Sequence, residues 1–471
     1  MATNRRHFLK TSALSGLTFA IGKKSFAELY CMRDHSSDKN IPLPTYPQLE
    51  WQDSELGLIF HFDISITAKN FNGDNDIRET FNPKDYNPRK LDTDQWLKAA
   101  KAAGATYATF VATHFCGFLQ WQSDLYPYGL KQAAWKNGKG DIVADFVESC
   151  YKYNIRPGLY LSTNNNAYWQ VHNHYVDWGK GKGTAKQMEF NRICEGMVEE
   201  LCSRYGRLLQ IWFDAGNKTP AEGGPDVLPI FEKYQRNGIF YSSTKRADFR
   251  WVGNELGFAD YPCWATMPNA AKLSHTSPEW GKYLGTGDPG GTIWSPAMVD
   301  TPLRGTNGAH SWFWKPGQEN GIYSLEQMMQ IYEHSVGRNS NMVLGVVINP
   351  DGLVPEGDAQ RLAEFGELLN KKYGNPLGIA KGEGKNVTIN LKTPQSLNQY
   401  IVQEDIRFGE RVRSYVVKGQ LATDDWIILD KGSCIGHKRI ASVSNPGKFK
   451  QILLDITEST DVPFIREFMV L

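Results

Sequence analysis

The run Leu208-Leu-Gln-Ile-Trp-Phe-Asp-Ala-Gly216 constrains this chain more than any other. Large apolar residues dominate it, as a strand covered on both faces requires. It ends in one acid, Asp214, followed by Ala-Gly-Asn and a loop rich in Gly and Pro. In a parallel α/β barrel the C-terminal strand ends meet at one mouth, and reactive side chains sit there. A second acid, Glu255, follows in Arg250-Trp-Val-Gly-Asn-Glu-Leu-Gly257, a turn-rich segment after a strand-like run. Two carboxylates at strand ends among many aromatic residues fit glycoside hydrolysis. The same acids also fit plainer roles, Asp214 as a helix cap and Glu255 as a surface acid, and pattern alone does not choose.

From Trp51 to about Tyr373 strand-like and helix-like segments alternate, the mark of α/β architecture. Strands are expected at 56–63, 106–113, 156–162, 208–216, 238–242 and 342–348. Helices are expected at 93–105, 141–153, 186–205, 227–236, 324–337 and 355–372. The helix over 186–205 carries an apolar stripe of Met188, Phe190, Cys194, Met197, Val198 and Leu201. Between Asn254 and Glu319 the periodicity fades into Gly, Pro and Trp, as long loops over one barrel face do. Beyond Pro376 short alternating strands take over, the pattern of a β-sandwich. The expected architecture is a (β/α)8-like catalytic domain over 46–374 followed by a β-sandwich over 375–471.

Composition removes other classes. The chain of 471 residues has a net charge of +1 and no basic run after its first ten residues, so nucleic acid and anionic membrane are not its partners. Aromatic residues make up 12%, which suits sugar faces stacking on rings but equally a large core. The seven cysteines are scattered without a CxxC pair, so no zinc or redox motif is indicated. His172-Asn-His174 has metal-like spacing but no clear third ligand, and a surface loop is the simpler reading. No phosphate loop, dinucleotide fingerprint or Ser-His-Asp order appears, so no cofactor is called for. At the N-terminus, Asn4-Arg-Arg-His-Phe-Leu-Lys10, a modest apolar run and Ser25-Phe-Ala27 resemble a twin-arginine signal, cleaved after residue 27 and followed by a linker over 28–45. The run is too short and polar to span a membrane. It implies a bacterial protein bound for the periplasm or the medium. Oligomeric state is left open.

Over nearly all its mature length the chain resembles glycoside hydrolase family 29, the α-L-fucosidases. Ile211-Trp-Phe-Asp214 is similar to that family's Trp-Phe-Asp-Gly nucleophile strand, and Gly57-Leu-Ile-Phe-His61 to its opening strand. Ala133-Ala-Trp-Lys-Asn-Gly-Lys-Gly-Asp-Ile142, Gly158-Leu-Tyr-Leu-Ser162, Arg250-Trp-Val-Gly-Asn-Glu255 and Ser335-Val-Gly-Arg-Asn-Ser340 resemble the branch favouring α-1,3/1,4-fucose. The resemblance implies an exo-acting, retaining hydrolase of fucosylated oligosaccharides, with Asp214 as nucleophile and Glu255 as acid/base. It also implies that His61 and His114 bind sugar hydroxyls. Asp248 and Asp260 are rival acids by proximity in sequence. Trp212 shares the strand face of Asp214 and is placed at the pocket wall, with core packing as the alternative. Trp121 and Trp314 are candidates to stack on the sugar, with plain burial as the alternative, and Arg250 and Arg304 are read as loop-supporting ion pairs.

Two departures stand out. Where the family carries Lys-His-His-Asp-Gly-Phe this chain has Thr113-His-Phe-Cys-Gly-Phe118, so Phe115 replaces an imidazole and Cys116 an Asp. A sugar hydroxyl left without a partner there costs about 1–3 kcal/mol. Trp294-Ser-Pro-Ala-Met-Val-Asp300 also lacks a Glu that many α-1,3/1,4 enzymes place at the Met298 position. An L-galactosylated glycan is therefore the alternative substrate, and a catalytically inactive carbohydrate-binding homologue the alternative class.

Overall fold

The computed structural model describes residues 41–67, 79–268, 278–443 and 447–471, so the expected export segment lies outside the described residues. Eight strands form one sheet: β1 (Leu56–His61), β2 (Tyr107–Thr113), β3 (Arg156–Leu161), β4 (Gln210–Asn217), β5 (Ile239–Ser243), β6 (Arg250–Trp251), β9 (Ala297–Pro302) and β10 (Ser340–Val347). A small antiparallel pair, β7 (Thr266–Met267) and β8 (Ile293–Trp294), stands apart. The sheet order is β5-β4-β3-β2-β1-β10-β9-β6, every neighbouring pair is parallel, and only the β5 and β6 edges stay unjoined. This is a nearly closed (β/α)8-like barrel.

The strands alternate between two apolar environments. Outward-facing Leu58, Phe60, Phe110, Leu159, Ile211, Phe213 and Leu344 merge with helix residues such as Trp96, Phe146, Phe190 and Leu362 into one core. Inward-facing Ile59, Tyr107, Val111, Tyr160, Trp212, Met298 and Val343 fill the barrel. Trp51, on the helix Tyr46–Gln52 before β1, joins this interior cluster and stacks on Phe249 at 4.8 Å. Its indole N–H donates to Gln210 Oε1 at 3.0 Å, and Gln210 Nε2 donates to Thr109 Oγ1 at 2.7 Å, which satisfies the buried polar atoms there. Four of the helices start on side-chain caps: Asp92, Asp141, Thr184 and Ser324 each accept a backbone N–H of the following turn.

After the last barrel helix, Glu356–Tyr373, two four-stranded antiparallel sheets pack into a β-sandwich with Val387, Ile389, Tyr400, Val417, Leu454 and Phe468 between them. Buried Glu410 of the sandwich accepts from the Ala265 backbone N–H at 2.9 Å and from Asn339 Nδ2 at 2.5 Å, both on the barrel side. Lys438 reaches Glu55 at 2.6 Å, and His437 Nε2 lies 2.9 Å from Asp53.

The expected strands and helices form with small shifts of their ends. Four strands before the sandwich, β6, β7, β8 and β9, are additional to the expectation, and two of them, β6 and β9, belong to the barrel sheet. β6 is two residues long, and the burial of the six-residue β9 is continuous, leaving no alternation to detect. Met188 departs from its expected stripe: it is 52% exposed, while Phe190, Cys194, Met197, Val198 and Leu201 are buried. Its neighbours at helical spacing turn inward and its flexible side chain stays in solvent.

Arg304, just after β9, is wholly buried and grips Asp358 with two parallel bonds, Nε to Oδ1 at 3.0 Å and Nη2 to Oδ2 at 2.7 Å. Arg304→Met strands a buried carboxylate and is expected to lower unfolding stability by about 3–5 kcal/mol. The double variant Arg304→Met/Asp358→Leu is expected to recover most of that loss. Urea unfolding of the two variants measures both.

Candidate active site

Period-two alternation carries the interior side chains upward to the C-terminal mouth. Ile59 is followed two residues on by His61, Trp212 by Asp214 and Met298 by Asp300. His61, Asp214 and Asp300 share one cavity of about 290 Å³ with His114, Phe115, Tyr160, Trp212, Glu255, Trp312 and Phe313. Beyond Asp214 the chain turns sharply, with positive φ at Ala215 (53°) and Gly216 (76°). At Gly216 a Cβ would also lie 3.1 Å from Ser242 Oγ.

Burial pushes the Asp214 carboxyl up to about 6, and the nearby Glu255 adds to that, while hydrogen bonds from the Tyr160 hydroxyl and the Ala215 backbone oppose it. Glu255 is different: its side chain is 43% exposed and sits on the loop after β6. One of its oxygens, Oε2, lies 2.6 Å from His310 Nε2 and accepts the Trp312 indole N–H at 3.0 Å. The backbone N–H of Gly257 donates to the Asp300 carbonyl at 3.1 Å, tying that loop to β9.

Burial depresses His61 to about 3 and His114 well below the ordinary imidazole range, so both rings are neutral at physiological pH. Their centroids are 6.3 Å apart, and Phe313 packs edge-on against both. Phe115 lines the cavity with its ring 4.0 Å from that of His114. Cys116 points elsewhere. Its thiol donates to the wholly buried Asp63 carboxyl at 3.0 Å, joining the segment after β1 to the segment after β2. Burial lifts Asp63 to about 6.

Five of the seven candidate catalytic and binding residues thus meet in the cavity: His61, His114, Trp212, Asp214 and Glu255. Two do not. Trp121 is wholly buried in the outer core and donates its indole N–H to Glu200 at 2.7 Å, so it packs and does not face the cavity. Trp314 is half-buried and stands outside the cavity lining, which takes Trp312 and Phe313 from the same segment. That segment has no regular period, so its sequence does not tell which ring turns inward. The rival acids are also elsewhere. Asp248 pairs with Arg246 at 2.8 Å and accepts the Phe240 backbone N–H, and Asp260 is exposed. Among the described residues Arg250 makes no ion pair of the expected kind; it donates to the Leu284 and Ser295 carbonyls. Tyr160, Asp300, Trp312, Phe313 and His310 are additions to the sequence-based set. Asp300 carried no signal, because its strand shows no alternation from which the interior row could be read.

Residues 65–375 match the family model described as Alpha-L-fucosidase. The chain is similar to "Alpha-L-fucosidase 1" of Arabidopsis thaliana, 27% identical over 468 residues that cover 90% of this chain and 86% of the plant protein. Among solved structures, a Bacteroides thetaiotaomicron protein assigned to the alpha-L-fucosidases superposes with a TM-score of 0.86 at 43% identity, covering 91% of this chain and 99% of that one. A glycoside hydrolase 29 family member from an unknown rumen bacterium gives a TM-score of 0.75 at 26% identity, covering 91% and 77% respectively.

Gly345 of β10 leaves the space that Trp312 occupies: a Cβ there would stand 2.4 Å from Trp312 Cζ3. Gly345→Ala is expected to push the indole off Glu255, changing tryptophan fluorescence and lowering hydrolytic turnover about tenfold through misplacement of the acid. Steady-state rates and emission spectra of the purified variant check this.

Proposed function

Because the chain belongs to the alpha-L-fucosidase family and is a glycoside hydrolase, we propose that it releases terminal α-L-fucose from glycans by a retaining double displacement. The observation that carries this reading is Asp214, held on barrel strand β4 just beyond its last residue paired with β3, in the same aromatic cavity as Glu255. Asp214, ionised above about pH 6, attacks the anomeric carbon while Glu255 protonates the departing oxygen. Glu255 then takes a proton from water, which breaks the glycosyl ester of Asp214. The Tyr160 hydroxyl bonds to the attacking carboxylate. Neutral His61 and His114 contact hydroxyls without placing positive charge beside an oxocarbenium-like transition state. Aromatic walls remove competing water, and a cavity of this size supports capture of a single terminal sugar.

Asp214→Ala is expected to lose several powers of ten in turnover of p-nitrophenyl α-L-fucoside while staying folded, with partial rescue by azide giving the β-glycosyl azide. In the native protein the acidic limb of kcat/KM is expected near pH 6, because ionised Asp214 is the reactive form and is lost as pH falls through that value. Glu255→Ala is expected to depress poor leaving groups far more than dinitrophenyl ones. Near-native activity of Asp214→Ala, or an α-configured azide product, overturns the assignment.

Phe115 supports a second reading of the sugar. Its phenyl group stands in the cavity wall beside His114, where the family's second imidazole is expected, so the hydroxyl contacts differ from those of an ordinary member. L-Galactose, which is L-fucose with a C6 hydroxyl, is the alternative substrate. Phe115→His is expected to raise kcat/KM for the aryl α-L-fucoside about tenfold, equivalent to about 1.4 kcal/mol. Efficient native cleavage of the fucoside, with Phe115→His only damaging it, removes the altered-pocket reading. Parallel assays on aryl α-L-galactoside decide between the sugars.

A further inference from the structure

The cavity holds a third carboxyl group that the displacement mechanism does not use. Asp300 is 5% exposed and lines the cavity with Asp214 and Glu255. Its position is set by the backbone: β9 pairs with β10 at Asp300–Val343 and with β6 at Met298–Trp251. Met298 fills the barrel interior, and Asp300 rises one strand repeat above it. The Trp251 indole N–H donates to Asp300 Oδ1 at 2.8 Å and fixes the plane of the carboxyl group. A surface carboxylate has no comparable arrangement.

We propose that Asp300 is a further substrate-binding residue, whose carboxylic O–H donates a hydrogen bond to a hydroxyl of the bound L-sugar. The inference rests on the glycosidase reading of the cavity. Aromatic rings make most of the wall, so each polar group there discriminates strongly among hydroxyl patterns. With Phe115 in place of an imidazole, a donor on the β9 side supplies a contact that the β2 side lacks.

Electrostatics agree with the geometry. The groups facing Asp300 are the Trp251 indole, the Tyr241 phenol and the carboxyls of Asp214 and Glu255. Burial first, then Glu255 and Asp214, lift Asp300 to about 8 against the opposing Trp251 bond, while Asp214 stands at about 6. Environments that push two carboxyls apart give them different duties. Between those values Asp214 is ionised and Asp300 keeps its proton, which is the distribution that attack by one and donation by the other require.

The test uses calorimetric binding of L-fucose and L-galactose to the full chain, native, Asp300→Asn and Asp300→Leu, at about pH 7 and about pH 9. Thermal unfolding of each protein verifies that it is folded. Native binding is expected to weaken about tenfold from the lower to the higher pH as Asp300 loses its proton. Asp300→Asn, which keeps a neutral donor at the same place, is expected to bind within about threefold of native at the lower pH and to lose the pH dependence. Asp300→Leu is expected to bind about tenfold or more weakly at the lower pH. Native-like binding by Asp300→Leu, or an Asp300→Asn variant as weak as Asp300→Leu, overturns the proposal. Native turnover of the aryl fucoside and galactoside is measured alongside. If turnover is absent but the binding pattern holds, the hydrolytic reading fails and the role of Asp300 stands. If turnover is normal and the binding pattern is lost, only the role of Asp300 fails, and if the native protein binds neither sugar, both are overturned.

Discussion

Everything in the catalytic half depends on the requirement that a parallel sheet bury both of its faces. Outward residues such as Leu58, Phe60 and Phe213 pack on helices, and inward residues such as Ile59, Val111 and Trp212 fill the barrel. Functional polarity concentrates at the strand ends, where the interior opens to solvent. His61, Asp214 and Asp300 are the top members of three inward-facing rows. Trp51 and Gln210 close the interior below them with satisfied hydrogen bonds.

Concentrating polar groups in a dry space sets their protonation. Burial raises Asp214 and Asp300 in the cavity and Asp63 outside its lining, and it lowers His61 and His114. The differences come from local partners. Asp214 receives the Tyr160 hydroxyl and a backbone N–H, which favour its ionised form, whereas Asp300 receives one indole and feels two neighbouring carboxyls. With His61 and His114 neutral, the two imidazoles add no positive charge to the site. That suits a neutral sugar substrate better than an anionic one.

Much of this was legible in the chain because long strands and helices advertise their periods. β4 announced both its burial and its terminal acid, and the amphipathic helices announced their buried faces, except at Met188, where one flexible side chain stayed in water. Legibility failed at β6, which is two residues long, and at β9, which lies within the stretch punctuated by Gly, Pro and Trp; these strands position Glu255 and Asp300. Tryptophans were read less well than acids, because an indole is equally at home in a core and in a sugar site. Trp121 went to the core and Trp212 to the cavity; strand spacing identified the second, and nothing comparable marked the first. The Cys116 substitution made sense only in three dimensions, where its thiol meets a carboxyl from a different strand end.

The unjoined edges of β5 and β6 give Asp214 and Glu255 different tolerances to change. Asp214 stands on an eight-residue strand between β3 and β5, where a shift of one residue would turn the whole interior row outward. Glu255 follows a two-residue strand at the seam of the barrel, joined to the sheet through β9 on one side only. Insertions beside it lengthen a loop and leave the rest of the sheet in register. The seam is therefore where this architecture accepts change: the Glu255 carboxyl can be re-aimed there while Asp214 keeps its place.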